Sequence, residues 1–221
     1  MSTTTAGTIT AEPTPIGSVS LRNEPVQARS TARLAGLLDA AAAVIDELGY
    51  ERLTTAMVAE RAGASIGTVY RYFPDRIAVL QALAARNLER TLVQVIAEIH
   101  DERHTTWMDA LSSSFGVFVE AFRNEAGFRS LRVGDVIDLR PVPDERTFNG
   151  VVADTMRAAL VERFDLVDNE RTAFLFECAI EVSDAMASRA FLHDANGEEA
   201  FLEASRDIVY RMLAEHFGPR A

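Results

Sequence analysis

Within TTAMVAERAGASIGTVYRYFPDRIAVL, residues 54–80, Ile66, Gly67, Thr68, Tyr70, Arg71 and Tyr72 share one side of a short helical segment. Short, aromatic and cationic side chains on one exposed surface suit double-stranded DNA: guanidinium and hydroxyl groups for phosphates and base edges, apolar groups for thymine methyls. Thr54 and Thr55 at one helix start, and Arg76 at another, extend the same phosphate-and-base footprint.

Such a surface needs a rigid corner behind it. The hydroxyl of Thr54 or Thr55 can cap a helix running to about Ala62, with Val58 and Ala59 facing inward. Gly63 ends that helix at little conformational cost, and Ser65 is placed to cap the next one. Ala59 is small enough for a close crossing, while Val69 and Phe73, four apart, form the buried stripe of the second helix. The pattern is a helix-turn-helix.

The segment AGASIGTVYRYFPDRIAVL, preceded by LLDAAAAVIDELGYERLTT, resembles the tetracycline-repressor (TetR) family of bacterial transcription regulators over roughly residues 30–80. Its pattern of Ala-Gly-Val-Ser, Gly-Thr-aliphatic-Tyr, Tyr-Phe and a basic residue before Ala-Leu is matched almost throughout. Ala64 replaces the usual Val and Val79 the usual Leu. The resemblance implies a homodimer on a palindromic operator, with the last two long helices pairing between protomers and the preceding helices enclosing a small-molecule pocket. Some members carry a long polar or basic residue where this chain has Ala56, which puts more of the operator choice on Thr68, Tyr70 and Arg71.

The formal charge of −11 is unevenly spread: residues 1–80 hold seven arginines against eight acids, and residues 81–221 fifteen against twenty-five. A near-neutral reader with Arg71 and Arg76 can still neutralise phosphates, while the acidic remainder is repelled from the duplex and orients the approach. Lysine is absent, which a coding bias explains more simply than DNA chemistry. Residues 1–28 have too few large apolar side chains to fold alone and read as a flexible tail. Arg22, Arg29 and Arg33 could form a minor-groove arm, but disorder without DNA contact is the default for such a terminus.

The expected architecture is all-α, with about nine or ten helices: a helix-turn-helix domain over 29–80 and a helical ligand-binding and dimerisation domain over 81–221. The first helix, about 30–48, turns Leu37, Leu38, Ala41, Val44, Ile45 and Leu48 inward. A long fourth helix from Pro74 or Asp75 to about His100 links the two parts mechanically. Further helices are expected near 105–123, between 125 and 139, and over 144–164, 169–192 and 198–216.

The ligand candidates are Trp107, Leu111, Phe115, Phe118, Phe122, Phe128, Arg132, Phe148, Met156, Phe174 and Cys178; such apolar stripes build cores and pocket walls alike. Glu177, Glu181 and Asp184 share a face that reads as solvated, although one of them turned inward would favour a cationic ligand. Arg132, Asp135 and Asp138 are potential polar anchors. For dimer contact the candidates are Ala179, Val182, Ser183, Met186 and Ala187 on one helix and Phe201, Ser205, Ile208 and Met212 on the next, the small residues permitting close approach.

No stretch reaches the ~20 apolar residues of a membrane span and no signal peptide is apparent, so a cytoplasmic protein is expected. The single cysteine, Cys178, excludes an internal disulfide framework and reads as a small buried hydrophobe. His100 and His104 in HDERH have helical spacing for a metal pair but lack an evident third ligand, and read as exposed. No nucleophile–base set or phosphate loop is seen, so neither catalysis, metal nor cofactor is expected. A ligand-released repressor is the main expectation. The alternatives are a partner-controlled activator or architectural DNA-binding protein, and a helical metal-dependent enzyme.

Overall fold

The computed structural model describes residues 24–133 and 147–218. The chain parts into two compact units, residues 1–35 and 36–221. Among the described residues there are nine α-helices, one 3-10 turn and no strand. The helices are α1 (Glu24–Leu48), α2 (Thr55–Arg61), α3 (Ile66–Tyr72), α4 (Arg76–Ile99), α5 (Trp107–Asn124), α6 (Phe128–Val133), α7 (Phe148–Phe164), α8 (Glu170–Phe191) and α9 (Glu199–Phe217). The all-helical expectation holds. α1 starts at Glu24 rather than near residue 30, inside the stretch read as tail; Arg29 and Arg33 are exposed on it. Arg22, Asp135 and Asp138 lie outside the described residues.

Side-chain caps set most helix starts. Thr54, Ser65, Asp75, Thr106, Thr147 and Asn169 each accept a hydrogen bond from the backbone N–H three residues on. Each satisfies a donor that the first turn would otherwise leave orphaned. Gly63, at φ +58°, makes the corner between α2 and α3. Leu37, Leu38, Ala41, Val44 and Ile45 are buried on α1, with Val58, Ala59 and Val69 on the two α-helices that follow and Phe73 just past the end of the second. Leu48 is 40% exposed and does not belong to that stripe. Its side chain is the last of the helix, where the turn at Gly49, φ +84°, takes the chain away.

α4 is about 36 Å long at 1.5 Å per residue and is buried along one face through Leu83, Asn87, Thr91, Val95 and Ile99. The larger C-terminal core packs Val95 and Ile99 with Trp107, Leu111, Met156, Leu160, Leu175, Phe176 and Leu213. A second cluster gathers Val119, Phe122, Phe128, Ala187, Phe191 and Leu202. Between α4 and α5, Arg163 donates to the carbonyls of His100 (2.7 Å), Asp101 (2.7 Å) and His104 (2.9 Å), satisfying acceptors left open where α4 ends.

Candidate functional site

α3 stands with its outer face in solvent. Val69 and Phe73 are buried, whereas Ile66 and Tyr70 are 43% and 54% exposed. Gly67 and Arg71 are also exposed, and Thr68 and Tyr72 are half-buried. The Ser65 hydroxyl accepts from the Thr68 backbone N–H at 3.1 Å and lies 2.9 Å from the Thr68 hydroxyl. The Arg71 guanidinium reaches the Tyr72 hydroxyl at 3.3 Å, and the Thr55 hydroxyl donates to that of Tyr70 at 3.4 Å. Thr54 is occupied as the cap of α2, and Arg76 donates to the carbonyls of Glu51 (2.7 Å) and Tyr50 (3.4 Å). Arg76 therefore braces the turn before α2, a task its sequence position alone does not reveal. Arg61 pairs in two hydrogen bonds with Glu47, at 2.6 and 2.9 Å, and ties α2 to α1.

The C-terminal helices line an open-mouthed apolar cavity. Of the expected ligand residues, Leu111, Phe115, Phe118, Phe122, Phe128, Arg132, Phe148 and Met156 line it. Three do not. Trp107 is 1% exposed in the core, donating to the Gly218 carbonyl at 3.3 Å and meeting the Phe217 ring edge-on. Phe174 is 53% exposed, and Cys178, one turn later, is half-buried rather than enclosed.

The small residues expected at a dimer contact supply much of the remaining wall: Ala179, Ser183 and Ala187 face the cavity together with Phe176 and Ile180. Ser205 is wholly enclosed within the protomer. Val182, Phe201 and Met212 pack partly against the protomer's own cores, Met186 is half-buried, and Ile208 alone of that set is exposed, at 46%. The regular 3–4 spacing of Phe176, Ala179, Ile180, Ser183 and Ala187 could have marked the wall, but small residues at that spacing also suit helix pairing. Asn149, Arg206, Val209 and Tyr210 are lining residues that the sequence does not single out, and Asp184 is the one acid of its stripe that turns inward, the alternative to its solvated reading.

The charged groups on the wall are paired, although the Arg206 Nε is buried without a hydrogen-bond partner. Arg132 on α6 pairs with Asp184 on α8, donates to the Asn149 side-chain oxygen at 2.9 Å, and lies 4.1 Å from the Phe148 ring centroid. Asn149 in turn donates to Asp184 at 3.3 Å and Glu181 at 3.1 Å. Asp184 is thus neutralised and does not make the cavity a cation site, while Glu177 and Glu181 are exposed. Arg206 donates to Glu199 at 2.8 Å and stacks over Phe115 at 5.4 Å. Tyr210 donates to the Met108 carbonyl, and burial raises its pKa, keeping the phenol neutral.

α6 touches the N-terminal helices where it begins. The Gly127 backbone N–H donates to Asp46 of α1 at 2.8 Å, and Asn87 of α4 donates to the Ala126 carbonyl at 3.2 Å. Gly127, at φ +74°, has space for a β-carbon only 3.3 Å from a methyl of Leu83 and 3.7 Å from the Ala42 Cα.

The histidine pair is structural in setting. His100 bonds the Ile96 carbonyl at 2.9 Å, and His104 is buried, not exposed, 2.9 Å from Glu98. Hydrogen bonds from His104, then Arg103, hold the Glu98 carboxyl at about 2, below its usual 4.5. Among the described residues no three His, Cys, Asp or Glu side chains are grouped to hold a metal, and no helix is long and apolar enough to cross a membrane.

Two family models match: bacterial regulatory proteins of the tetR family over residues 37–83, and the tetracyclin repressor-like C-terminal domain over residues 105–217. The chain belongs to the TetR family of transcriptional regulators. A TetR-family transcriptional regulator from Streptomyces coelicolor superposes with a TM-score of 0.70 at 28% identity, over 83% of this chain and 98% of that one. Another, from Pectobacterium atrosepticum, gives 0.68 at 16% identity over 88% and 99%, a likeness of fold. The transcriptional repressor KstR of Rhodococcus jostii is 44% identical over 54 residues, 24% of this chain and 26% of KstR. The chain thus spans about a quarter of the curated relatives it matches first.

Proposed function

We propose that this TetR family member is a homodimeric repressor, acting in the cytoplasm, that holds a palindromic operator through α3 and releases it when a small, largely apolar compound fills the cavity. The observation carrying this proposal is the exposed Ile66–Tyr72 face, seated on buried Val69 and Phe73 and presented by the same chain that encloses an aromatic-walled cavity. Thr55, Gly67, Thr68, Tyr70, Arg71 and Tyr72 form the base-and-phosphate surface; Thr54 and Arg76 shape it from behind, and Ile66 offers an apolar contact. Residues 29–80 serve as the reader and 81–221 as the effector and dimer domain; the family-model match over 37–83 falls mostly in the first and that over 105–217 in the second. Protomer pairing uses the outer faces of α8 and α9, where Phe174 and Ile208 stand in solvent and Cys178, one turn after Phe174, is half-buried. Two readers about one DNA turn, ~34 Å, apart then meet successive major grooves.

A gel-shift titration on the DNA upstream of the protein's own gene, at several salt concentrations, tests the DNA part. Wild-type protein should bind specifically, and Arg71→Ala should bind several-fold more weakly with a salt slope shallower by about 1, the signature of one lost phosphate contact. Equal binding and equal slope in the variant would remove Arg71 from the surface and the surface from the argument.

A further inference from the structure

The cavity wall carries its charges in ion pairs, with the Arg206 Nε left as a buried unpaired donor. Arg132 is bound to Asp184 and Asn149 and covered on one face by Phe148, and its side chain is only 10% exposed. Arg206 is bound to Glu199 and covered by Phe115. Among the described residues the rest of the wall is aliphatic or aromatic except for Asn149, Ser183 and the neutral Tyr210. An anionic ligand would lose its hydration against phenyl rings and meet Asp184 beside the arginine; a cationic ligand would lose as much and meet Arg132. A neutral apolar molecule escapes both costs.

Arg132 and Asp184 also define which polar group such a molecule can use. A guanidinium has donors beyond those engaged here, and each carboxylate oxygen can accept a second hydrogen bond. The two groups stand side by side, one able only to donate and the other only to accept. A hydroxyl does both, accepting from Arg132 and donating to Asp184, whereas a ketone or ether serves only the arginine. We infer that the effector is a neutral, mainly hydrocarbon molecule carrying a hydroxyl that bridges Arg132 and Asp184. This inference rests on the cavity being the effector site proposed above.

Four probes of one shape separate the chemistries: naphthalene, 2-naphthol, 2-naphthoate and 2-naphthylmethylammonium. Titration calorimetry on the full chain, with the melting shift as a second readout, should rank 2-naphthol first. Its advantage over naphthalene should be about tenfold or more, as expected for hydrogen bonds to charged groups. Asp184→Asn should change the ranking in a defined direction: with Arg132 no longer neutralised, 2-naphthoate gains on 2-naphthol. Arg132→Met should do the reverse, favouring the ammonium, and stands in should the first variant fail to fold. Naphthalene and 2-naphthol binding equally, or a charged probe binding tightest to wild type, would overturn the hydroxyl inference and leave the apolar effector site standing. A protein that still shifts its upstream DNA but binds none of the four would overturn the inference together with the cavity's effector role.

Discussion

Phe122 is the residue whose removal tests the cavity's architecture most directly. It is 5% exposed, stacks on Phe191 at 4.8 Å and 14°, and meets the edge of Phe128 at 5.1 Å and 76°, so one ring from α5 joins α6 to α8. Truncating a buried Phe to Ala costs about 3–5 kcal/mol. Because one side of the ring already borders open space rather than packed atoms, the lower half of that range, about 3–4 kcal/mol, is expected for Phe122→Ala. At roughly 2–4 °C per kcal/mol for a chain of this size, the melting temperature should fall by roughly 6–16 °C. Urea unfolding followed by circular dichroism gives the free energy directly. Protein concentration must be held constant, since pairing of protomers would shift apparent stability by mass action. A double-mutant cycle with Phe191→Ala should return a coupling of about 0.5–1.5 kcal/mol for the stacked pair. A loss below about 1 kcal/mol with an unchanged denaturant slope would refute the claim that this trio holds the α5, α6 and α8 wall together.

Gly197→Ala should destabilise by at least about 2 kcal/mol, combining left-handed strain with overpacking, because Gly197 sits at φ +82° with a β-carbon position 2.8 Å from Phe191 Cζ. Gly116→Ala, helical with nothing within 4 Å, should instead stabilise by about 0.5–1 kcal/mol; thermal melts that show the same sign for both would contradict the assignment. Glu98 contributes through its lowered carboxyl, so its stabilisation is complete above the ordinary 4.5 and is lost as pH falls towards about 2. Denaturation of wild type and Glu98→Gln should therefore show the wild type more stable at pH 5. The gap should close between about 4.5 and 2, and one that widens on acidification would reverse the inferred sign.

The reader was legible because its signals are local. Thr54, Gly63, Ser65, Val69 and Phe73 each act within one turn of themselves, and caps, corner and buried pair appear where spacing puts them. Arg76 was harder, since its partners Tyr50 and Glu51 lie 26 and 25 residues away and nothing in its neighbourhood announces them. The aromatic stripe of α5 marked the cavity, but which side of α8 joins it depends on how α8 is rotated against α7 and α9. Small residues at 179, 183 and 187 fit either a neighbouring helix or a void, and the structure gives them the void. Phe174 and Ile208 then fall on the outside. A hydrophobic side chain in an amphipathic helix carries no record of whether it meets its own chain or a second copy. The displaced start of α1 has a related cause: Glu24–Ser30 has the short, polar composition of a tail and still runs on into the helix.

Gly127 leaves the junction beneath α6 with no cushion. A longer side chain could bend to absorb a small displacement of its helix, but here backbone meets the Leu83 methyl and the Ala42 Cα almost directly. The six-residue helix that follows carries Arg132 in its last turn, on the cavity wall, so its two ends lie within about 9 Å at 1.5 Å per residue. A side chain added at Gly127 would press on Leu83 and Ala42 and so push against the start of the helix that carries Arg132.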